Sequence, residues 1–505
     1  MSASSDDPAA LPGPGDLVLA AGAGVTGLPV VRYLAARGAR VVVTADRAAP
    51  AELADIDGDV TFAGDLATPP DGTDLVITSA GIPPTNPLLA AAAAAGIDVI
   101  GEVELAWRID QAASRSGGAP RPWLVVTGTN GKTTTTGMLE SILRAGGHDV
   151  RACGNIGWPV LEAVLAGGPV NDTVLPSIGN GSSSTTAAGP PGRQSVIAVE
   201  LSSFQLHWAP GLRPTAGVVL NLAEDHLDWH GSMAAYGRDK ARALGGDVAL
   251  AVVDDPGAAA LLADASAPLR IPITGTAPGV GGLGVLDGVL TDRAFGAGAG
   301  AGASRTLAGA DQVRPPGSHN VTNALAAAGL ALAVGVSPAA VAAGLAAFRP
   351  GGHRNVRVAQ RAGVGYVDDS KATNPHAALA SLLAYPRVVW IAGGQLKGAA
   401  VDDLVLAVRD RLAGVVLLGV DAPVIHAAVS RHAPDVPVLS VPGTDDDVMR
   451  SVVSAAARMA APGDVVLLAP AAASLDMFSS YAARGNAFAA AALALPDDLP
   501  ARSST

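Results

Sequence analysis

The sequence predicts three successive α/β domains built on mostly parallel sheets. Three observations predict it. Short apolar runs alternate with helical stretches along the chain, two of those runs pass directly into glycine-rich turns, and 505 residues exceed one ordinary domain. Residues 17–20 read as a buried strand, Gly22-Ala23-Gly24-Val25-Thr26-Gly27 as a GxGxxG turn, the apolar stretch through Ala36 as a helix, and Val41-Val42-Val43 as the next strand. This is a Rossmann-like βαβ unit with Asp46 just past its second strand. Leu75–Thr78 adds a further strand, and the Gly/Ser/Arg-rich segment 111–121 marks a boundary, so the first domain spans 1–115. Trp123–Thr127 is the next buried strand. It opens into Gly128-Thr129-Asn130-Gly131-Lys132-Thr133-Thr134 and a helix, a P-loop-type arrangement heading a central domain over 116–350. Arg349-Pro350-Gly351-Gly352 reads as a hinge. Strands at 388–392, 415–418 and Val465–Leu468 continue the alternation in a third domain over 351–505. Residues 167–193, dense in Gly, Pro, Ser and Thr, and the Gly/Ala run 296–303 read as surface insertions.

Composition narrows the function. The net charge is −12 with no long basic run, so nothing offers the clustered cations that nucleic-acid binding needs. The single Cys153 excludes an intramolecular disulfide and suits a reducing compartment. Residues 1–15 are polar, acidic and Pro-rich, unlike a signal peptide. Residues 324–348 carry no charge, but Gly335-Val336-Ser337-Pro338 interrupts them, which predicts two buried helices rather than a membrane span. A cytoplasmic protein without membrane insertion is expected. The chain has 33 Lys and Arg, of which only Lys132, Lys240, Lys371 and Lys397 are lysine. Where Arg serves as the general cation, a retained Lys marks a position needing a compact charge, or an amine that can lose its proton.

Chemistry concentrates in a few short motifs. In the strand–GTNGKTT–helix, the glycines let backbone N–H groups approach phosphates, Lys132 can reach β/γ-phosphates, and the Thr133 hydroxyl can bind Mg²⁺. The spacing is shorter than GxxxxGK[ST]. In Val199-Glu200-Leu201-Ser202-Ser203-Phe204-Gln205-Leu206, Glu200 closes an apolar strand and is placed to hold a metal. Asn221-Leu222-Ala223-Glu224-Asp225-His226-Leu227-Asp228 sets one His among three carboxylates, a metal-compatible group. The GAGVTG turn, taken alone, suits a dinucleotide dehydrogenase as well as a nucleotide-sugar enzyme.

Read in order, TGTNGKTT, ELSSFQL and NLAEDHLD resemble the Mur ligase family. So do the downstream GSHNVTNA (317–324), His353-Arg354, DDSKATN (368–374), ASLDMF (473–478) and RGNAF (484–488), and the likeness runs through nearly the whole chain. The resemblance implies a Rossmann-like C-terminal domain and an ATP-dependent ligase of peptidoglycan precursor synthesis, which activates a carboxylate as an acyl phosphate and yields ADP and phosphate. It implies UDP-N-acetylmuramoyl-L-alanine and D-glutamate as substrates, two Mg²⁺ ions, a carbamate derived from CO₂ on a lysine, and a monomer. Gly128 to Thr134, with Asn320, Asn323, Arg354 and Asp369, would bind ATP. Thr133 and Glu200 would hold the first Mg²⁺, and His226 the second. Asn155 would lie near the reacting carboxylate, and Lys132, Asn155, His226 and Lys240 would carry the catalysis. The Tyr236-x-x-x-Lys240 spacing assigns the carbamate to Lys240, since only a neutral amine can add CO₂. Gly22, Gly24, Val25, Thr26, Gly27, Asp46, Arg47 and Ser202 would bind the UDP substrate. Lys371, Thr373, Lys397, Ser474 and Tyr481 would bind D-glutamate, Tyr481 standing where relatives often carry Phe. No DNPR-like motif appears in the third domain, which argues against a diaminopimelate- or lysine-adding relative. Folylpolyglutamate synthase would not need the first domain.

Overall fold

The computed structural model describes residues 11–115, 121–166, 193–296, 304–443 and 447–496. The predicted insertions 167–193 and 296–303 therefore fall outside the described residues, apart from Arg193 and Gly296. Three sheets are present. The chain forms two compact units, one of Met1–Ala310 with Thr322–Ala347 and one of Asp311–Val321 with Phe348–Thr505.

The first unit holds two sheets. In the first sheet, β1 (Leu17–Ala21), β2 (Arg40–Thr44), β3 (Val60–Phe62), β4 (Leu75–Thr78) and β5 (Asp98–Gly101) run parallel in the order β3-β2-β1-β4-β5. Every residue of β1 and β4 is buried, as strands covered on both faces require. The strand order reverses at β1, and there the GxGxxG turn leaves its carboxyl end. The helix Glu102–Arg115 follows β5 and runs on through Gln111–Arg115, so the predicted boundary segment begins as the last turns of a helix.

The second sheet comprises β6 (Trp123–Thr127), β7 (Cys153–Gly154), β8 (Ile197–Glu200), β9 (Ala216–Val219), β10 (Val248–Val252), β11 (Leu269–Ile273), β12 (Leu283–Leu286), β13 (Val289–Asp292) and β14 (Arg305–Gly309), in the order β14-β13-β12-β11-β10-β9-β6-β8-β7. Its strands are parallel from β7 to β12, and β12, β13 and β14 form an antiparallel meander. The order reverses at β6, which places the GTNGKTT loop at the switch point. The pairing of Val126 with Glu200 brings the β8 carboxylate beside that loop. The two sheets share one core that includes Val18, Ile100, Leu105, Trp123, Val160 and Leu206. Trp123 is fully buried, and removing such a ring from water contributes about 5 kcal/mol. Its indole N–H donates to Asp110 Oδ2 at 2.8 Å, and Arg121 Nε donates to Asp110 Oδ1 at 2.7 Å, so both carboxylate oxygens of that joint are engaged.

The uncharged stretch 324–348 is helical in two pieces, the end of Ser318–Ala333 and Pro338–Ala347, as the interrupting glycine and proline predict. Gly344 lies against the helix Lys132–Ala145: a Cβ there would stand 2.3 Å from Ile142 Cα. Only glycine permits that backbone approach. No helix among the described residues is long and apolar enough to cross a membrane.

The second unit holds the third sheet: β15 (Val356–Arg361), β16 (Val364–Asp368), β17 (Val388–Gly393), β18 (Leu412–Leu418), β19 (Val438–Ser440) and β20 (Val465–Leu468), in the order β15-β16-β20-β17-β18-β19. Only β15 is antiparallel to its neighbour. The loops after β16, β17 and β20, three adjacent strands, open on one edge.

Candidate active site

The GxGxxG turn is shaped by two of its glycines. Gly22 has φ +98°, and a Cβ there would fall 2.3 Å from Ser79 Oγ; a Cβ at Gly27 would fall 2.2 Å from the Gly22 carbonyl oxygen. The helix Gly27–Ala36 begins after Thr26 without a side-chain cap, its Gly27 and Leu28 N–H groups donating to the Gly24 carbonyl, so that its positive end faces the turn. Gly22, Thr26, Gly27, Ser79 and Glu102 line a cleft there. Val25 is exposed at the tip, and Asp46 and Arg47 are exposed just beyond β2, the neighbour of β1. Glu102 was not anticipated. Its Oε1 accepts from the Leu161 N–H at 2.6 Å, and burial pushes its carboxyl up to about 7 against that bond. Ser202 is engaged otherwise: it caps the helix Ser203–His207 in a reciprocal capping box with Gln205.

The phosphate-type loop is held from both sides. Thr129 Oγ1 lies 3.0 Å from the Tyr236 hydroxyl and accepts from the Ala223 N–H at 3.0 Å. Asn130 N–H donates to Asn221 Oδ1 at 2.8 Å, and Asn221 Nδ2 returns a bond to the Asn130 carbonyl at 3.1 Å. Gly131 has φ +84°, and its missing Cβ would sit 2.6 Å from Asn323 Oδ1, which places Asn323 against the loop. The helix Lys132–Ala145 starts uncapped by any side chain, so its N-terminal N–H groups, with Thr133 and Thr134 in the first turn, suit an anion.

Charge gathers beside this loop. Glu200 is buried at the end of β8; Asn155 Nδ2 donates to its Oε1 at 2.8 Å, while its Oε2 is buried without any partner. Lys132 turns its ammonium onto the Gly128 and Thr129 carbonyls at 3.0 and 2.9 Å. Lys240 is 2% exposed and donates to the same Gly128 carbonyl at 2.8 Å, with its Nζ 4.6 Å from the centre of the Tyr236 ring. Burial lowers the Lys132 pKa, opposed by Glu200 and Asp225. Burial, with the Lys132 charge added, holds the Lys240 amine well below its ordinary range. Lys132, Lys240, Asn155 and Glu200 thus form one patch, with Asp225 within electrostatic reach of both lysines. His226, at φ +52°, has Nε2 3.5 Å from Asp225 Oδ2 and packs its ring 4.7 Å from Phe204. Among the described residues no three His, Cys, Asp or Glu side chains group closely enough to hold a metal by themselves. Glu200 Oε2, a buried oxygen in need of a partner beside the Thr133 turn, nonetheless fits a divalent cation that takes its other ligands from hydroxyl, phosphate and water.

One cluster in this region was missed. Asp239 accepts from His207 Nδ1 at 3.0 Å and from His230 Nδ1 at 3.0 Å, and His230 Nε2 lies 2.9 Å from Ser203 Oγ. The carboxylate next to Lys240 therefore ties together the three segments that carry Glu200, His226 and Lys240. Its only sequence signal is an Asp beside the lysine. Cys153 is buried, and burial pushes its thiol up, so it is an inert core residue.

In the second unit, the loop after β16 carries Asp369, Lys371 and Thr373. Asp369 Oδ1 accepts from the Asn355 N–H at 3.2 Å, and burial raises its carboxyl to about 7. Arg354 and Asn355 follow His353, whose Nδ1 bonds Asp368 Oδ2 at 2.6 Å. Lys371 Nζ stands 4.2 Å from the centre of the Tyr481 ring. Gln395 and Ala473 exchange both backbone bonds at 2.9 Å, which joins the Lys397 loop to the Ser474 loop. Lys397 is exposed at φ +54°, and Ser474 is buried. Asn320, on the first turn of Ser318–Ala333, is buried, its Nδ2 donating to the Pro316 carbonyl at 3.2 Å. Lys371, Thr373, Ser474 and Tyr481 thus sit on interlocked loops, with Lys397 on the neighbouring one.

Three family models match in order along the chain: a Mur ligase MurD-like N-terminal domain over residues 16–101, the Mur ligase middle domain over 126–331, and a Mur ligase glutamate ligase domain over 353–472. The chain is 51% identical over 510 residues to the UDP-N-acetylmuramoylalanine--D-glutamate ligase of Mycolicibacterium vanbaalenii, a match covering 95% of this chain and 98% of that one. It is 49% identical over 490 residues to the enzyme of the same name from Streptomyces coelicolor, covering 94% and 98%. Among solved structures, MurF from Acinetobacter baumannii shares the fold at a TM-score of 0.51 and 18% identity, over 90% of this chain and 87% of that one. On these grounds the chain belongs to the Mur ligase family.

Proposed function

We propose that this chain is an ATP-dependent ligase that joins the amine of D-glutamate to the L-alanyl carboxylate of UDP-N-acetylmuramoyl-L-alanine, acting as a cytoplasmic monomer. The observation that carries the reading is the patch at the β6 switch point. An uncapped glycine-rich loop, two lysines that form no ion pair among the described residues and a buried carboxylate oxygen with no partner among them meet there. The names of the relatives supply the substrates.

In this reading the ATP γ-phosphoryl group passes to the alanyl carboxylate. The bond to ADP breaks and an acyl phosphate forms. The amine then attacks the acyl carbon, and inorganic phosphate and a proton leave. The loop N–H groups and Lys132 hold the phosphate oxygens and neutralise the charge that spreads over them in transfer. Thr133 and Glu200 would hold one Mg²⁺ ion, and His226 with the carbamate proposed for Lys240 a second, and these ions would add charge neutralisation. Asn155 orients Glu200 through its 2.8 Å bond. Lys240 is proposed to be carbamylated. A buried amine depressed by its surroundings is neutral more of the time than a surface lysine, and the carbamate would answer the Lys132 charge. Lys371, Thr373, Lys397, Ser474 and Tyr481 take D-glutamate, and the GxGxxG turn takes the UDP pyrophosphate.

Phosphate release, measured with ATP, UDP-N-acetylmuramoyl-L-alanine and D-glutamate and with each omitted in turn, tests this. Release should require all three. Release at an unchanged rate without D-glutamate would overturn the assignment.

A further inference from the structure

Arg484 is, with Asp368, among the most buried charged groups of the second unit, at 1% exposure, and it forms no direct ion pair among the described residues. Its bonds go to neutral groups. Nε donates to Ser370 Oγ at 2.9 Å, Nη2 to the Ser370 carbonyl at 2.9 Å, and Nη1 to the Ala472 carbonyl at 3.1 Å and the Gly393 carbonyl at 3.3 Å. Ser370 Oγ in turn donates to the Tyr481 carbonyl at 2.7 Å. One guanidinium therefore fastens the ends of three adjacent strands, β16, β17 and β20, to the first turn of the helix Tyr481–Leu493 that bears it.

These four segments carry the proposed amino-acid site. Lys371 follows Ser370, Lys397 lies four residues past Gly393, Ser474 lies two past Ala472, and Tyr481 is one helical turn before Arg484. The packing leaves no slack: a Cβ at Gly394 would meet the Ala473 carbonyl oxygen at 2.1 Å and Arg484 Nη1 at 3.3 Å. Burying a guanidinium that has no direct carboxylate bond is costly even with Asp476 and Asp368 within electrostatic reach, so its retention calls for a return beyond packing. A planar fork with five donors can hold three carbonyls and a hydroxyl in fixed directions at once; an ammonium cannot.

We propose that Arg484 is a positioning residue for amino-acid binding: without touching the substrate, it sets the relative placement of the loops bearing Lys371, Lys397, Ser474 and Tyr481. The inference rests on the reading that this edge of the third sheet takes D-glutamate.

The test uses the full-length protein with Arg484→Lys, Arg484→Met and Ser370→Ala. Each variant's KM for ATP, for UDP-N-acetylmuramoyl-L-alanine and for D-glutamate is measured beside its melting curve. Both Arg484 variants should raise KM for D-glutamate by at least about tenfold, with the other two KM values within about twofold. Arg484→Lys should not restore the wild-type value, because charge alone is not the requirement. Should the Arg484 variants fail to fold, Ser370→Ala, which removes only one hydroxyl from the array, decides the matter with a shift of about threefold or more confined to D-glutamate. Equal shifts in all three KM values, a full rescue by lysine, or no shift in Ser370→Ala would overturn the proposal. Failure of the parent reading looks different: the wild-type protein would then show no dependence on D-glutamate at all.

Discussion

Glu102→Gln should stabilise the protein at neutral and alkaline pH and not at acid pH. Glu102 is buried beneath the GxGxxG turn, its charge stabilised only by the backbone N–H groups of Leu161 and Val160, and burial lifts its carboxyl from an ordinary 4.5 to about 7. An acid whose folded pKa lies above its unfolded one keeps its proton in the folded state after the unfolded chain has released it. Below pH 4.5 both states are protonated and the site costs nothing; through the window up to about 7, stability falls as pH rises, by about 1.4 kcal/mol per pH unit. Across the window the loss is about 3 kcal/mol, and between about pH 5.5 and 8.5 it is about 2 kcal/mol. Gln keeps an oxygen for Leu161 and has no proton to lose, so any change in packing adds a constant offset while the pH-dependent part disappears. The assay is urea unfolding of wild type and Glu102→Gln at intervals across that range, followed by tryptophan fluorescence, since Trp107 and Trp123 lie in or against the same core. The difference in unfolding free energy should grow in the variant's favour as pH rises and level off above about 7.5. A difference that stays flat with pH would refute the reasoning, whatever its size.

Two further substitutions test the other regions. Lys240→Arg should lower the ligation rate by at least about 10², because guanidinium cannot form a carbamate, and should also lower the melting temperature, because a larger and permanently charged group enters a sealed site beside Lys132; protein equilibrated with carbon-13-labelled bicarbonate should show one carbamate resonance that the variant lacks, and its absence from wild type would refute the assignment. Gly27→Ala would place a methyl 2.2 Å from the Gly22 carbonyl oxygen. It should raise KM for the UDP substrate at least about tenfold and leave KM for ATP unchanged; equal changes in both would show that the turn does not serve the UDP substrate.

The parts of the fold legible in the sequence were those whose signal is local. Leu75–Thr78, Trp123–Thr127 and Val465–Leu468 are buried along their whole length, so an apolar run marks each of them, closed by a threonine in the first two. The edge strands β3 and β19 have only three residues each, partly or largely exposed, and offer no such run. The β12–β14 meander escaped notice because Gly284, Asp287 and Gly288 break the alternation within it. The same division holds at the site. The GTNGKTT loop and Glu200 were readable because each is a short local pattern, of residue types suited to phosphate or metal, at the carboxyl end of a strand. The Asp239 cluster was not, since its hydrogen bonds join residues up to 32 positions apart. Arg484 was visible as a letter of RGNAF, but its partners are backbone carbonyls, which no sequence pattern announces.

The scarcity of lysine carries a different weight at each of its four positions. Lys240 is sealed in at 2% exposure, and Lys132 shares with it the Gly128 carbonyl, so two amines compete for one neighbourhood where, among the described residues, neither forms a direct ion pair with a carboxylate. A pair of permanently charged guanidiniums could not be held that way. An amine can shed its proton, or in the proposed chemistry exchange it for a carbamate, and so the demand for lysine there is physical. Lys371 and Lys397 are exposed, where Arg would be tolerated on grounds of solvation, so burial gives no reason for lysine at either position. Arg484 supplies the converse case: a buried cation that must hold several fixed directions and never needs to lose its proton. Burial pulls its pKa down only to about 10, so it stays charged wherever the ligation would run. The choice between Lys and Arg in this chain therefore follows whether the buried cation must change its charge or keep its geometry.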